Sequence, residues 1–166
     1  SNTSAANDLN ASGTLALTTS ALSASITINS SADVEGTSGA HTYTADVMDI
    51  SGTVTATGQT VTLKPTTAAS RDIRLGVGVG PAIALSDVEL DNITAGTLRI
   101  GANDSSTDAI TVSSDISPAS VSTLHLRTPS TITGTVGGIV VANLALTAGG
   151  TINFTDAATD VDTLAI

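Results

Sequence analysis

Short apolar–x–apolar triplets punctuate the chain: Leu15-Ala16-Leu17, Ile26-Thr27-Ile28, Val61-Thr62-Leu63, Ile73-Arg74-Leu75, Ile83-Ala84-Leu85 and Val88-Glu89-Leu90. Further on come Leu98-Arg99-Ile100, Ile110-Thr111-Val112, Leu124-His125-Leu126, Leu144-Ala145-Leu146, Ile152-Asn153-Phe154 and Leu164-Ala165-Ile166. In an extended chain the outer two residues of such a triplet face one way and the middle one the other. Each triplet therefore predicts a short strand with one buried face. No long window carries the i, i+3, i+4, i+7 stripe of an amphipathic helix. A small-Gly-Thr step precedes many of the strands, as at Ser12-Gly13-Thr14, Ser51-Gly52-Thr53, Ala95-Gly96-Thr97, Thr133-Gly134-Thr135 and Gly149-Gly150-Thr151. Glycine there suits a corner that needs positive φ.

The spacing gives the architecture. Leu-x-Leu-type strands begin at 98, 124, 144 and 164, at intervals of 26, 20 and 20 residues. Earlier starts at 15, 61 and 98 lie 46 and 37 residues apart, each close to two periods. A period of 20–25 residues with several short strands is the signature of a solenoid. The expected fold is all-β: a parallel β-helix (β-solenoid) of roughly seven coils over residues 1–166, one domain and a rod of about 35 Å at about 4.8 Å per coil. An antiparallel sandwich is the rival. It fits less well, because sandwich cores usually anchor on large aromatics and Asn-Gly or Asp-Gly hairpin dipeptides do not occur here.

Composition sharpens this picture. Among 166 residues there are 29 Thr, 20 Ser and 24 Ala, with Tyr43 and Phe154 as the only aromatics and no Cys. Stacked aliphatics fit a narrow interior, and β-branched hydroxyl residues suit exposed strands. The missing thiols exclude a disulfide framework, a Cys-based zinc site and a thiol enzyme. Five cations against fifteen carboxylates give a net charge of −10. That is too few cations for a nucleic-acid partner, because phosphate affinity needs clustered positive charge. No run of 18 apolar residues predicts a membrane-spanning helix, and Ser1–Ala6 does not read as a signal peptide.

Three stretches carry a resemblance. Residues Leu85-Ser86-Asp87-Val88-Glu89-Leu90-Asp91-Asn92-Ile93-Thr94-Ala95-Gly96-Thr97-Leu98-Arg99-Ile100-Gly101 are one. Val61-Thr62-Leu63-Lys64-Pro65 with Asp72-Ile73-Arg74-Leu75-Gly76 is another, and Leu144-Ala145-Leu146-Thr147-Ala148-Gly149-Gly150-Thr151-Ile152 the third. Over roughly residues 50–166 the chain resembles the repeat region of filamentous-haemagglutinin-like bacterial exoproteins. The motifs are degenerate and describe coil geometry. The resemblance implies a right-handed parallel β-helix, export to the bacterial cell surface, and a role in adhesion or surface structure. The secretion domain of such proteins is not evident, so the implied part is a piece of the shaft.

Candidate chemistry is sparse. His41 and His125 have no metal-ligand spacing between them, and each is expected as an outward or corner residue. Asp156, Asp160 and Asp162, and Asp104 with Asp108, are the carboxylate groupings nearest to a calcium loop, but no calcium-loop motif frames them, and solvated Asx-turn corners account for them. Gly76-Val77-Gly78-Val79-Gly80-Pro81 mimics a phosphate loop, yet a strand-like triplet rather than a helix follows it. Lys64, Arg71 and Arg74, with Thr66, Thr67 and Ser70, offer a small anion-friendly loop, although a plain solvated loop accounts for them better, and 64–82 is the candidate protrusion from the rod because it breaks the coil spacing. Thr-x-Thr steps at Thr42–Thr44, Thr53–Thr57 and Thr131–Thr135 do not fall into register with one coil period, which counts against a flat ice-binding face. Asn-x-Ser/Thr triplets are frequent simply because Ser and Thr are. No Gly-x-Ser-x-Gly elbow is present. The reading contains no catalytic, cofactor-binding or metal-ligating set and no cofactor.

The expected function is a non-enzymatic structural segment of an exported bacterial surface protein, an adhesin shaft or an extracellular fibre subunit. The alternative is a glycan- or host-protein-binding module on the same scaffold. Expected partners are neighbouring coils or further copies end to end, since the C-terminal triplet lacks a polar cap. The expected location is extracellular, at the cell surface.

Overall fold

The computed structural model describes residues 8–66, 70–77 and 83–166. The first turn holds β1 (Leu9–Ala11), β2 (Leu15–Thr18) and β3 (Ser25–Ile28), and the second β4 (Asp33–Gly36), β5 (His41–Thr44) and β6 (Val47–Ile50). The third holds β7 (Thr53–Lys64), β8 (Arg71–Leu75), β9 (Ile83–Leu85) and the helix α1 (Asp87–Asp91). Then follow β10 (Ile93–Ile100) with β11 (Thr107–Val112), β12 (Val121–Thr128) with β13 (Ile132–Gly134), β14 (Val140–Ala148) with β15 (Ile152–Phe154), and finally β16 (Asp160–Ala165). Strand pairing among the described residues is parallel throughout, in a long sheet ordered β1-β4-β7-β10-β12-β14-β16, a second ordered β15-β13-β11-β8-β9, and a small β3-β6 pair. The chain is a β-solenoid of about seven turns.

Register turns the sequence pattern into columns. Leu15, His41, Val61, Leu98, Leu124, Leu144 and Leu164 stack one above another in the long sheet. Leu17, Tyr43, Leu63, Ile100, Leu126 and Leu146 form the neighbouring inward column. From the second sheet, Ile83, Ile73, Ile110, Ile132 and Ile152 face them. Most of these side chains are buried in one core. A buried Leu or Ile contributes about 1.5–3 kcal/mol.

The turns are unequal. The 46-residue interval contains an intermediate turn, in which His41 takes the column position that leucine holds elsewhere. The 37-residue interval between Val61 and Leu98 is a single enlarged turn and not two. The extra length builds β9, which returns parallel to β8 with Ile73 opposite Ile83, and then α1. Val88-Glu89-Leu90, expected as a strand, is helical because Ser86 and Glu89 form a capping box. Glu89 also accepts a hydrogen bond from Ile50 N (3.2 Å), while Asn92 Nδ2 donates to Ile50 O (2.8 Å). The helix thereby satisfies backbone groups at the edge of β6 that no strand covers.

Two further expectations change. Residues 64–82 do not protrude as a unit, because β8 lies within them and buries Ile73 and Leu75; 67–69 and 78–82 lie outside the described residues. The corner glycines do not take positive φ: among the described glycines that conformation belongs to Gly58, Gly76 and Gly101. Of the corner glycines, Gly13 faces open space and the others are needed for close approach. A Cβ on Gly52 would lie 2.2 Å from Asn29 O on the turn below, and one on Gly134 would lie 2.4 Å from the Phe154 ring.

Truncating the central column tests this packing. Leu124→Ala is expected to lower unfolding free energy by about 2–5 kcal/mol. Ser122→Ala, on an exposed position of the same strand, should stay within about 0.5 kcal/mol. Urea denaturation of both variants measures the contrast.

Candidate functional site

Polar side chains inside the solenoid serve the fold. Asp46 has no solvent-exposed side-chain surface and joins three turns. It accepts hydrogen bonds from Ser23 N (2.9 Å), Thr66 N (3.2 Å) and Thr66 Oγ1 (3.0 Å), and pairs with Arg71 at 3.3 Å. Burial pushes its pKa up, but the hydrogen bonds from Ser23 and Thr66 and the Arg71 charge outweigh this and hold it below the ordinary value. His41 is fully buried, with Nδ1 3.3 Å from Tyr43 Oη and Nε2 without a partner among the described residues. Burial lowers its pKa and raises that of Tyr43.

The remaining aspartates mostly hold turns. Asp87 accepts from Ser117 N (2.6 Å), Asp91 from Ala119 N (3.0 Å), Asp115 from Gly138 N (2.9 Å) and Asp156 from Ala158 N (2.8 Å). Asp160 and Asp162 border a shallow depression beside Ser117 and Val140. Among the described residues no group of three or more His, Asp or Glu is placed to hold a metal ion. The Gly76–Pro81 stretch lies outside the described residues from Gly78 on.

The cations are arranged differently from the expected loop. Arg71 turns inward to Asp46, Arg74 is exposed on the second sheet, and Lys64 lies on the outer face of the long sheet. Thr66 belongs to the Asp46 knot and Thr67 falls outside the described residues. The structure therefore brings Thr66 and Arg71 together at Asp46 and leaves Lys64 and Arg74 on the outer faces of different sheets. Register brings Lys64 to Arg99 and Arg127 instead. Outward residues of the long sheet form rows: Thr42, Thr62, Arg99, His125 and Ala145 are in register, and Thr60, Thr97, Thr123, Asn143 and Thr163 make the adjacent row. The Thr-x-Thr steps at 42–44, 53–57 and 131–135 do not stack on one another; threonines gather instead in the row of Thr60, Thr97, Thr123 and Thr163, with Asn143 among them. The first of these rows is broken by Arg99 and His125.

Beside this row lies a polar depression of about 350 Å³ lined by Thr42, Thr62, Lys64, Arg99, Asp104 and Arg127, with Gly101 to Asn103 completing it. Gly101, at φ +83, ends β10 and turns the chain away. Asp104 accepts from Ser106 N at 2.8 Å and from Ser106 Oγ. The Ser106 hydroxyl chiefly holds its carboxyl below the ordinary value; burial opposes this, and the Ser106 amide and the charges of Lys64 and Arg127 add to it. His125 Nε2 lies 3.1 Å from Thr147 Oγ1. Its pKa is lowered by burial first and then by Arg99 and Arg127. Arg99 and Arg127 were not singled out in the sequence; only the turn lengths reveal that residues 64, 99 and 127 meet.

Comparison with protein-family models, with curated proteins and with solved structures finds no match.

The buried titratable groups set the acid response. His41 and His125 have folded pKa values below their ordinary 6.5, so the stability they contribute is present above 6.5 and is lost as pH falls through the lower folded values. Asp46, depressed from 3.8, holds its contribution above 3.8 and loses it as pH falls further. Melting temperature should decline in two stages on acidification, and His41→Leu should shrink the first stage. Asp46→Ala, which strands Arg71, is expected to cost about 3 kcal/mol at pH 7. Thermal melts from pH 8 to pH 2 read both effects.

Proposed function

We propose that this chain is a non-enzymatic structural segment of an exported bacterial surface protein, either the shaft of an adhesin or a unit of an extracellular fibre. The observation that carries the reading is the unbroken seven-position column from Leu15 to Leu164 inside a parallel ladder. Such a ladder resists bending and stretching through backbone hydrogen bonds distributed along the whole axis. Its carboxylates are spent on holding turns together, inside at Asp46 and on the surface at Asp87, Asp91 and Asp115. The sequence resemblance of residues 50–166 to filamentous-haemagglutinin-like repeats supports the same reading, and an extracellular location is part of this proposal.

The proposed partners are axial: further turns, or other copies end to end. The outer edge of β16 has no strand beyond it among the described residues, and Leu164 is 52% exposed there. A net charge of −10 opposes side-by-side clumping while leaving axial contact open. Electron microscopy should show rods about 35 Å long, or fibres built from them with an axial repeat of about 4.8 Å. Where copies associate, Leu164→Asp should reduce that association in sedimentation experiments. Round particles with no axial repeat, or turnover of any member of a polysaccharide panel, would overturn the reading.

A further inference from the structure

The chain has five cations, and three of them, Lys64, Arg99 and Arg127, border one depression. On a protein of net charge −10 this concentration is opposite to the overall field. It also arises from three different turns. Lys64 ends β7, Arg99 lies in β10 one turn above, and Arg127 lies in β12 one turn higher. Rows two turns apart are separated by about 10 Å at the backbone. Lys64 and Arg127, from the two outer rows, and Arg99, from the row between them, all line the depression. At the middle row the position following Ile100 is Gly101, so no side chain fills the space.

The positive groups are only partly offset locally, by the Asp104 carboxylate on which the charges of Lys64 and Arg127 act. The one ion pair among the described residues is Arg71 with Asp46, so none of the three cations has a carboxylate within 4.0 Å among them. Asp104 shares the depression, but its carboxylate is engaged by Ser106. Arg99 Nε is buried and has no hydrogen-bond partner among the described residues. Thr42 and Thr62 add hydroxyls on one flank. Planar guanidinium forks pair with oxoanions by two parallel hydrogen bonds, and a volume of about 350 Å³ accommodates such a group with part of its carrier.

The geometry points to an oxoanion-binding site in this depression, taking a sulfate or phosphate group between Lys64, Arg99 and Arg127. This goes beyond the structural-shaft reading and does not depend on it, since the site is formed by side-chain register alone.

The test is a titration of the full chain with sodium sulfate and with inorganic phosphate, at ionic strength balanced with chloride, followed by nuclear magnetic resonance. Saturable shifts confined to the lining of the depression, from Thr42, Thr62, Lys64, Arg99, Arg127 and residues 101–104, are expected, with a dissociation constant on the order of 1 mM. Arg99→Gln and, separately, Arg127→Gln should weaken binding about tenfold. Arg74→Gln, an exposed cation on the other sheet, should leave binding unchanged. Unaltered amide spectra elsewhere show that each variant is folded. Glucose 6-sulfate run beside free sulfate separates the sources: tighter binding of the ester identifies a sugar-borne group, and equal binding identifies the free ion. Shifts that grow linearly and spread over the surface, or equal losses from Arg74→Gln and Arg99→Gln, would overturn the assignment.

Discussion

A parallel ladder with a fixed axial step constrains everything else in this protein. Each residue of a strand lies directly over a residue of the turn below, about 4.8 Å away. A side chain must therefore tolerate a near copy of itself above and below. Aliphatic residues do this well, which is why Leu98, Leu124, Leu144 and Leu164 share one column. Aromatic rings do not stack so easily in a narrow interior. Phe154 lies over Gly134, where the missing Cβ leaves space for its ring. Tyr43 is packed beside His41, and His41 in turn occupies the space that a Cβ on Gly36 would need.

The interruptions of the column rule are costly and each is compensated. A buried carboxylate is tolerated only when its lone pairs are used. Asp46 meets this with donors from the turns on either side of its own, so one side chain ties together segments that are about twenty residues apart. His41 is the less complete case, neutral and with one ring nitrogen unpartnered among the described residues. The enlarged third turn is a third interruption. There the small β3-β6 sheet stops, and Glu89 of α1 and its C-cap Asn92 bond the backbone N–H and C=O of the buried Ile50.

The same column rule that builds the core also organises the surface. Middle residues of the triplets face outward, and whatever charge they carry is stacked with its counterparts from other turns. Arg99 and His125 are middle residues of two such triplets and are register partners. Lys64 and Arg127 each follow a triplet by one position and flank the turn at Gly101. A positively lined depression on an acidic rod is therefore a product of stacking, with no local sequence cluster behind it.

Alternation of apolar and polar positions, the scarcity of aromatics and the 20-residue spacing of the later triplets were enough to determine a stacked, parallel, all-β chain, because period 2 within strands and a constant period between them leave few other ways to bury one face. Most triplets are strands where the alternation placed them. What alternation could not determine was how long each turn is. His41 hid one turn, since a polar residue stands at a leucine position, and the capping box of Ser86 and Glu89 overrode an apparent strand at Val88–Leu90. Turn length then decided the functional surface. Moving one turn by a single residue would exchange inward and outward positions or shift the rows past one another, so the meeting of Lys64, Arg99 and Arg127, and the inward pairing of Arg71 with Asp46, exist only in the folded register.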